Sequence, residues 1–172
     1  MHTFSDTLTA TASATPALSP SQRLPFILNS CRTIAVVGLS PHPHRASFDV
    51  ARYMQATGYR IIPVNPNVAA EGGEVLGEKA YASLLDAAGH EKIELVNCFR
   101  NSVDIPPVVE EAIAIGAKAI WMQLGISNAE AAAKAEAHGL LVVQDQCIKI
   151  DHRGLLSRGM VTSLLAASFS AG

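Results

Sequence analysis

A chain of 172 residues, 49% of them apolar and with a formal net charge of −2, can bury one sizeable core and is expected to be a single soluble domain. That balance excludes the global basic field of a nucleic-acid binder, and no apolar run approaches the ~20 residues of a membrane span. The three cysteines, Cys31, Cys98 and Cys147, have neither paired nor metal-like spacing, and an odd count without a secretory signal fits a reducing cytoplasm.

In chain order, residues 1–20 are rich in Ser, Thr, Ala and Pro, with Asp6 as the one acid and no apolar h-region. They are expected to form a disordered tail, leaving 21–172 as one domain. A short helix is predicted over 21–31, limited by Pro25. "TIAVVG" (33–38) is a buried strand ended by glycine. After a loop through Arg45, Ser47 is the expected N-cap of a helix over 48–58, with Gly58 at its C-terminal end. A second strand spans 59–65, closed by Pro66. The next stretch, 66–81, has four glycine or proline breaks and is expected to be a loop.

A short helix over 82–89 precedes a third strand over 92–99. A helix over 103–116 follows, with proline near its first turn, where the missing N–H costs little. The fourth strand covers 117–125. Ser127 or Asn128 caps a helix over 129–139, and the fifth strand is 140–145. The remainder, 146–172, is less regular. Strand and helix alternate five times, and no strand pair carries a hairpin signal. The expected fold is therefore α/β and doubly wound, a mainly parallel five-stranded sheet with helices on both faces. Ligands of such sheets sit beyond the carboxyl ends of the strands, near the switch point.

The strand ends are thus the residues to interrogate. After the first strand stand Gly38, Ser40, Arg45 and Ser47 around a helix start. Glycine lets a ligand approach the backbone, the helix start favours phosphate, and an arginine fork matches phosphate oxygens. The same spacing equally describes a tight turn with a capped helix and a solvated arginine. After the second strand, "PVNPN" puts Asn65 where an NAD-binding fold has an acid, and no basic residue for NADP occurs in 61–74. Asn65 either bonds a ribose or adenine edge or caps a turn. Phe99 and Arg100 follow the third strand, and Gln123 and Gly125 the fourth. Trp121, Met122 and Cys98 read as core. Cys147 follows the fifth strand; a packed structural thiol is its simpler reading. His42 and His44, in "PHPH", lack a third ligand at useful spacing, so no metal site is expected. "VVGLS" is not a hydrolase elbow, and no acid–His pair follows it.

Taken together, "IAVVGLSPHPHRAS", "GYRIIPVNPN", "LGEKAYASLLD", "FRNSVDIPPVVEEAIAIGAKAIWMQLGI" and "GLLVVQDQCIKIDH" resemble, in order, the small bacterial CoA-binding proteins. The likeness covers residues 24–155, and these proteins are similar to the CoA-binding domain of the succinyl-CoA synthetase α subunit and of ADP-forming acyl-CoA synthetases. The resemblance implies a Rossmann-like fold that takes coenzyme A or an acyl-CoA at its strand ends. It implies that Gly38, Ser40, Arg45 and Ser47 face the nucleotide phosphates and that Val64, Asn65 and Pro66 line the adenosine end. Phe99 and Arg100 would lie beside the ligand, and Gln123 and Gly125 near the pantetheine arm. Two positions depart from the pattern. Ala46 stands for the proline of R-P-S, and Gln146 for the arginine of D-R-C, which removes a positive charge near the fifth strand.

Those synthetases use a phosphorylated histidine in a second domain, for which this length leaves no room. The expected function is therefore non-catalytic binding of CoA or acyl-CoA, as a carrier, sensor or partner of an acyl-CoA enzyme, in the cytoplasm. No nucleic-acid or membrane partner is expected, and no feature of the sequence selects an oligomeric state. Three rivals remain: a small NAD(P)-dependent oxidoreductase, a redox-sensing protein in which Cys147 forms a mixed disulfide with CoA, and an interaction subunit with a vestigial pocket.

Overall fold

The fold follows from short runs of β-branched and aliphatic residues that can be buried on both faces, each followed by an amphipathic helix. The computed structural model describes residues 17–165. In chain order they form α1 (Pro20–Ser30), β1 (Thr33–Val37), α2 (Ala46–Ala56), β2 (Arg60–Val64), α3 (Pro66–Ala70), β3 (Glu74–Val75) and β4 (Glu78–Lys79). Then come α4 (Leu84–Ala88), β5 (Leu95–Cys98), a 3-10 turn (Ser102–Asp104), α5 (Ile105–Ala114), β6 (Ala119–Met122), α6 (Ala129–Ala137), β7 (Leu141–Val143) and α7 (Ile148–Ser157). Five strands pair in the order β2-β1-β5-β6-β7, every pair parallel. The expected Rossmann-like α/β sheet is present.

Alternation along each strand sends side chains to two cores. Ala35, Val37, Ile62, Val96, Cys98, Ile120 and Val142 meet α4, α5 and α6 on one face. Ile34, Val36, Ile61, Leu95 and Trp121 meet α1, α2 and α7 on the other. The strand order reverses between β1 and β5, because the chain runs from β1 outward to β2 and then returns past β1 to form β5. A crevice opens at such a reversal, at the carboxyl ends of the two strands.

Several local features differ from the sequence expectation. Of the proposed tail, Pro20 is the first residue of α1 and Ser19 its N-cap, while 1–16 lie outside the described residues. Pro25 does not end α1: Ile27 and Leu28 are buried beyond it, and the Gln22 side chain accepts the Ser19 N–H at 3.1 Å. The stretch 66–81 is not all loop. It holds α3 and the antiparallel β3–β4 hairpin, turned by Leu76 (φ 55°) and Gly77 (φ 77°). A leucine in a left-handed turn position gives no hairpin signal. Within 146–172, expected to be less regular and partly amphipathic, residues 148–157 form α7, whose Ile148, His152 and Leu155 make one buried stripe. A histidine within that stripe weakened the helical signal.

At the amino edge of the sheet, Glu94 ties three strand starts together. Its carboxylate accepts the Arg32 N–H at 2.9 Å and pairs with Lys118 at 2.7 Å. Burial alone would raise the Glu94 pKa, but the hydrogen bonds from Lys118 and from the Arg32 and Thr33 N–H groups outweigh it and hold it below its ordinary value. A depressed folded pKa means the contribution is full above the unfolded carboxylate value, about 4.3, and fades as pH falls through the folded value. Glu94→Gln should lower stability at pH 7 by about 1 kcal/mol, because Lys118 is half exposed. Urea titrations of the two proteins should converge as pH drops from 5 to 3; equal midpoints at pH 7 would show that the clamp contributes nothing.

Candidate functional site

The carboxyl ends of β1 and β5 are joined as closely as backbones allow. The Phe99 N–H donates to Val37 O at 2.9 Å, and the Gly38 N–H donates to Val64 O at 2.9 Å. Gly38 turns there with φ 84°, and a Cβ on it would lie 2.5 Å from the Phe99 carbonyl oxygen. Only glycine satisfies both the left-handed backbone and the missing space. Above this junction is a cleft of about 330 Å³ lined by Gly38, Ser40, Arg45, Ala46, Ser47 and Phe99. The structure thus brings five of the residues singled out from sequence to one place.

Ser47 does not cap α2. It lies inside the helix, one residue past the start, and Arg45 occupies the cap position. Its buried hydroxyl oxygen instead accepts the Ser40 N–H at 3.0 Å, while the Ser40 hydroxyl oxygen accepts the His42 N–H at 3.1 Å. The two serines therefore shape the loop between strand and helix, and each keeps its own O–H as a donor. No side chain caps α2, so its first N–H groups remain available for an anion, with the helix dipole behind them.

The charges at this edge favour an anion as well. Arg45 is exposed and Arg100 half-buried, and neither has an ion-pair partner among the described residues. The acid in the first turn of α2, Asp49, is held by Lys149 at 2.7 Å and Arg52 at 3.1 Å. The hydrogen bond from Lys149, with that from Arg52, lowers its pKa. Its negative charge is thus met twice before it can repel a ligand.

The other sequence-derived residues lie around the cleft rather than in its lining. Val64 is buried in the core. Pro66 opens α3, and Asn65 caps it. Both ends of the Asn65 amide hold the backbone: Nδ2 donates to Leu39 O at 3.0 Å, and Oδ1 accepts the Asn67 and Val68 N–H groups. Of the two sequence readings of Asn65, this geometry is that of the turn cap. Gln123 is buried and donates from Nε2 to Asn97 Oδ1 at 2.8 Å. Gly125, with φ 81° and open space around it, donates its N–H to Asp145 Oδ1 at 2.6 Å.

Sequence reasoning missed Asn97. It is fully buried within β5, and its Nδ2 has no partner; its one signal was a lone amide inside the apolar run "ELVNCF". Among the thiols, Cys31 and Cys98 are buried, and burial pushes them up to about 11 and about 12. Cys147 is half-buried at the start of α7. Among the described residues, no three His, Cys, Asp or Glu side chains gather as a metal-holding group.

Comparison with known proteins gives this geometry a context. Residues 32–153 match the family described as CoA binding domain. An uncharacterized protein of Bacillus subtilis, YneT, is 44% identical over 126 residues, which is 73% of this chain and 89% of that protein. The structure of a hypothetical protein from Pyrococcus horikoshii OT3 is 37% identical and superposes with a TM-score of 0.74, over 84% of this chain and 97% of that one. The fold alone is shared with the dinucleotide forming acetyl-coenzyme A synthetase 1 of Ca. Korarchaeum cryptofilum. There the identity is 22% and the TM-score 0.58, over 70% of this chain and 27% of that one.

The two glycines at this edge make a paired test. Each has a left-handed backbone, which costs a substituted alanine about 1–2 kcal/mol, but only Gly38 also lacks room for a Cβ. Gly38→Ala should therefore lower the unfolding free energy clearly more than Gly125→Ala. Equal losses in urea titration would mean that the β1–β5 junction relaxes freely.

Proposed function

The chain belongs to the CoA-binding domain family, and we propose that it holds coenzyme A or an acyl-CoA at the β1–β5 cleft without transforming it. One observation carries this reading. The uncapped start of α2 and the Arg45 side chain line the cleft at the switch point of the sheet, and neither Arg45 nor Arg100, which follows β5, has an acid partner among the described residues. A pyrophosphate and a ribose phosphate call for such a set of N–H and guanidinium donors.

A binding role is supported by what lines the cleft: a glycine, an alanine, two serines, an arginine and a phenylalanine. None of these is an acid or base suited to proton transfer near neutral pH. Asn65, with its amide engaged, offers neither the carboxylate that holds an NAD ribose nor a cation for an NADP phosphate. The protein would then act as a carrier or sensor in the cytoplasm, handing its ligand to an acyl-CoA enzyme. No helix among the described residues is long and apolar enough to cross a membrane.

One observation favours a second reading. Cys147 is the one cysteine that is not fully buried, and the Asp49–Lys149 pair holds the first turn of α7 against that of α2. A Cys147 thiolate attacking CoA disulfide would form the mixed disulfide and release one CoA thiolate. Intact-mass analysis after incubation with CoA disulfide should then show one adduct, absent in Cys147→Ser; an unmodified Cys147 would end this reading.

Thermal-shift measurements with CoA, acetyl-CoA, NAD, NADP and ATP test the main proposal. A ligand at 100 times its dissociation constant stabilises the fold by about 2.7 kcal/mol. CoA species should shift the transition and the nicotinamides should not; the opposite pattern would put the rival oxidoreductase reading ahead. Arg45→Ala, at an exposed position, should leave the unliganded melting temperature unchanged. It should weaken CoA binding by about 1.5–3 kcal/mol, the loss of one charge-assisted hydrogen bond; unchanged affinity would remove Arg45 from the site.

A further inference from the structure

The helices on the two faces of the sheet carry opposite charge. On one face α4, α5 and α6 bear Asp86, Glu110, Glu111, Glu130 and Glu136 against Lys134 alone. On the other, α1, α2 and α7 bear Arg23, Arg52, Lys149 and Arg153 against Asp49 and Asp151. The acidic face also holds a groove of about 290 Å³ between α5 and α6. Its floor is Val109 and Ala131, both buried, and its rim is Pro106, Glu110, Glu130 and Lys134, all exposed. Lys134 pairs with Glu110, whereas Glu130 is in no ion pair among the described residues.

On the basic face α7 presents the complement. Its buried stripe is Ile148, His152 and Leu155. Ile150, Arg153 and Ser157, at helical spacing on the opposite side, are exposed. Ile150 is a large apolar side chain left 55% exposed. One turn further, a Cβ on Gly154 would meet only Arg158 Nη2, at 3.8 Å, so the ground beside Ile150 is open to a close approach. Lys149 is held by Asp49, but Arg153 is in no ion pair among the described residues. An apolar knob beside a free guanidinium therefore stands on one face of the molecule, and an apolar groove beside a free carboxylate on the other.

We propose that two copies of this chain dock head to tail, with Ile150 of one entering the α5–α6 groove of the other and Arg153 of the first pairing with Glu130 of the second. Charge selects this occupant. In this orientation opposite charges meet, whereas docking either face on its own kind would set acids against acids or bases against bases. The two patches lie on opposite faces of the sheet, so each docked copy keeps one patch free. The contact is heterologous, and it closes into a ring or propagates as a short chain. One apolar side chain and one exposed ion pair make a weak complex that salt loosens. The contact uses no residue of the cleft lining, so it stands whatever the cleft holds.

The test is analytical ultracentrifugation of the full chain at low salt over a wide range of concentration. The wild-type mass should rise above the 18.1 kDa of one chain as concentration increases, and return to it in about 0.5 M salt, where such ion pairs are screened. Ile150→Ser removes the apolar contact, and Arg153→Glu or Glu130→Arg sets like charges together. Each should weaken association roughly 10-fold or more while keeping a melting temperature near that of the wild type. Lys92→Glu, at an exposed position ahead of β5, is the charge control and should associate as the wild type does. Mixing is the decisive step. The Arg153→Glu and Glu130→Arg proteins should each be monomeric alone and associate together, because in the mixture opposite charges meet again at every contact. A mass of one chain at every concentration overturns the proposal, as does association that all three variants retain. A mixture that stays monomeric while the wild type associates also overturns it.

Discussion

The near-contact between Gly38 and the Phe99 carbonyl is the constraint on which the carboxyl edge of this protein depends. β1 and β5 are adjacent in the sheet although far apart in sequence, and both chains must leave the sheet at the same level. A side chain at position 38 would force them apart, since its Cβ would sit 2.5 Å from an oxygen. With glycine there, the chain turns at once, Leu39 enters the core, and Asn65 reaches over to hold the Leu39 carbonyl. The turn thus joins β2, β1 and β5 into one rigid rim. The cleft exists because the strands diverge immediately above a junction that cannot diverge below it.

Charge is distributed unevenly between the two edges of the sheet. At the amino edge, cations are met by acids: Lys118 by Glu94, and Arg60 by both Glu78 and Glu91. At the carboxyl edge, the acid of α2 is met twice, while Arg45 and Arg100 are left over. Parallel strands make this separation consequential, because every crossover helix that starts at the carboxyl edge adds partial positive charge there. A chain with net charge −2 therefore still gathers positive charge at one edge, which global composition could not reveal.

Much of the fold was legible because its signals are local and repeated. Five apolar runs, the first four each followed by a loop and a helical pattern, leave few arrangements other than a parallel sheet. Gly38, Ser40, Arg45, Ser47 and Phe99 were legible as a site because the fold rule directs attention to strand ends. The roles within that set were not. Ser47 looks like a helix cap in sequence, and only the three-dimensional return of the loop shows it accepting from Ser40. Asn65 fits a ligand contact or a cap equally well until Leu39 O is seen beside its amide. The β3–β4 hairpin was hidden because Leu76 adopts a conformation that its side chain does not favour. α7 showed only as a partly amphipathic stretch because a histidine, His152, takes one position of its buried stripe.

His152 also shows how the two faces of the sheet divide their work. The α4–α5–α6 face is closed by aliphatic side chains, Tyr81 and Met122. The buried polar side chains, Ser47, Asn97, Gln123 and His152, belong to the face covered by α1, α2 and α7. There His152 Nδ1 pairs with the Tyr53 hydroxyl at 2.9 Å, and the Tyr59 hydroxyl donates to Leu28 O at 2.6 Å. Burial lowers the His152 pKa, so the ring stays neutral and can accept from Tyr53. Directional bonds of this kind set the position of α7 against α2 more narrowly than apolar contact alone, which tolerates sliding. The Asp49–Lys149 pair adds a second tie between α2 and α7. Because the starts of both helices lie at the carboxyl edge, this polar core fixes the distance from the start of α2 to Cys147. The purely apolar face has no such task.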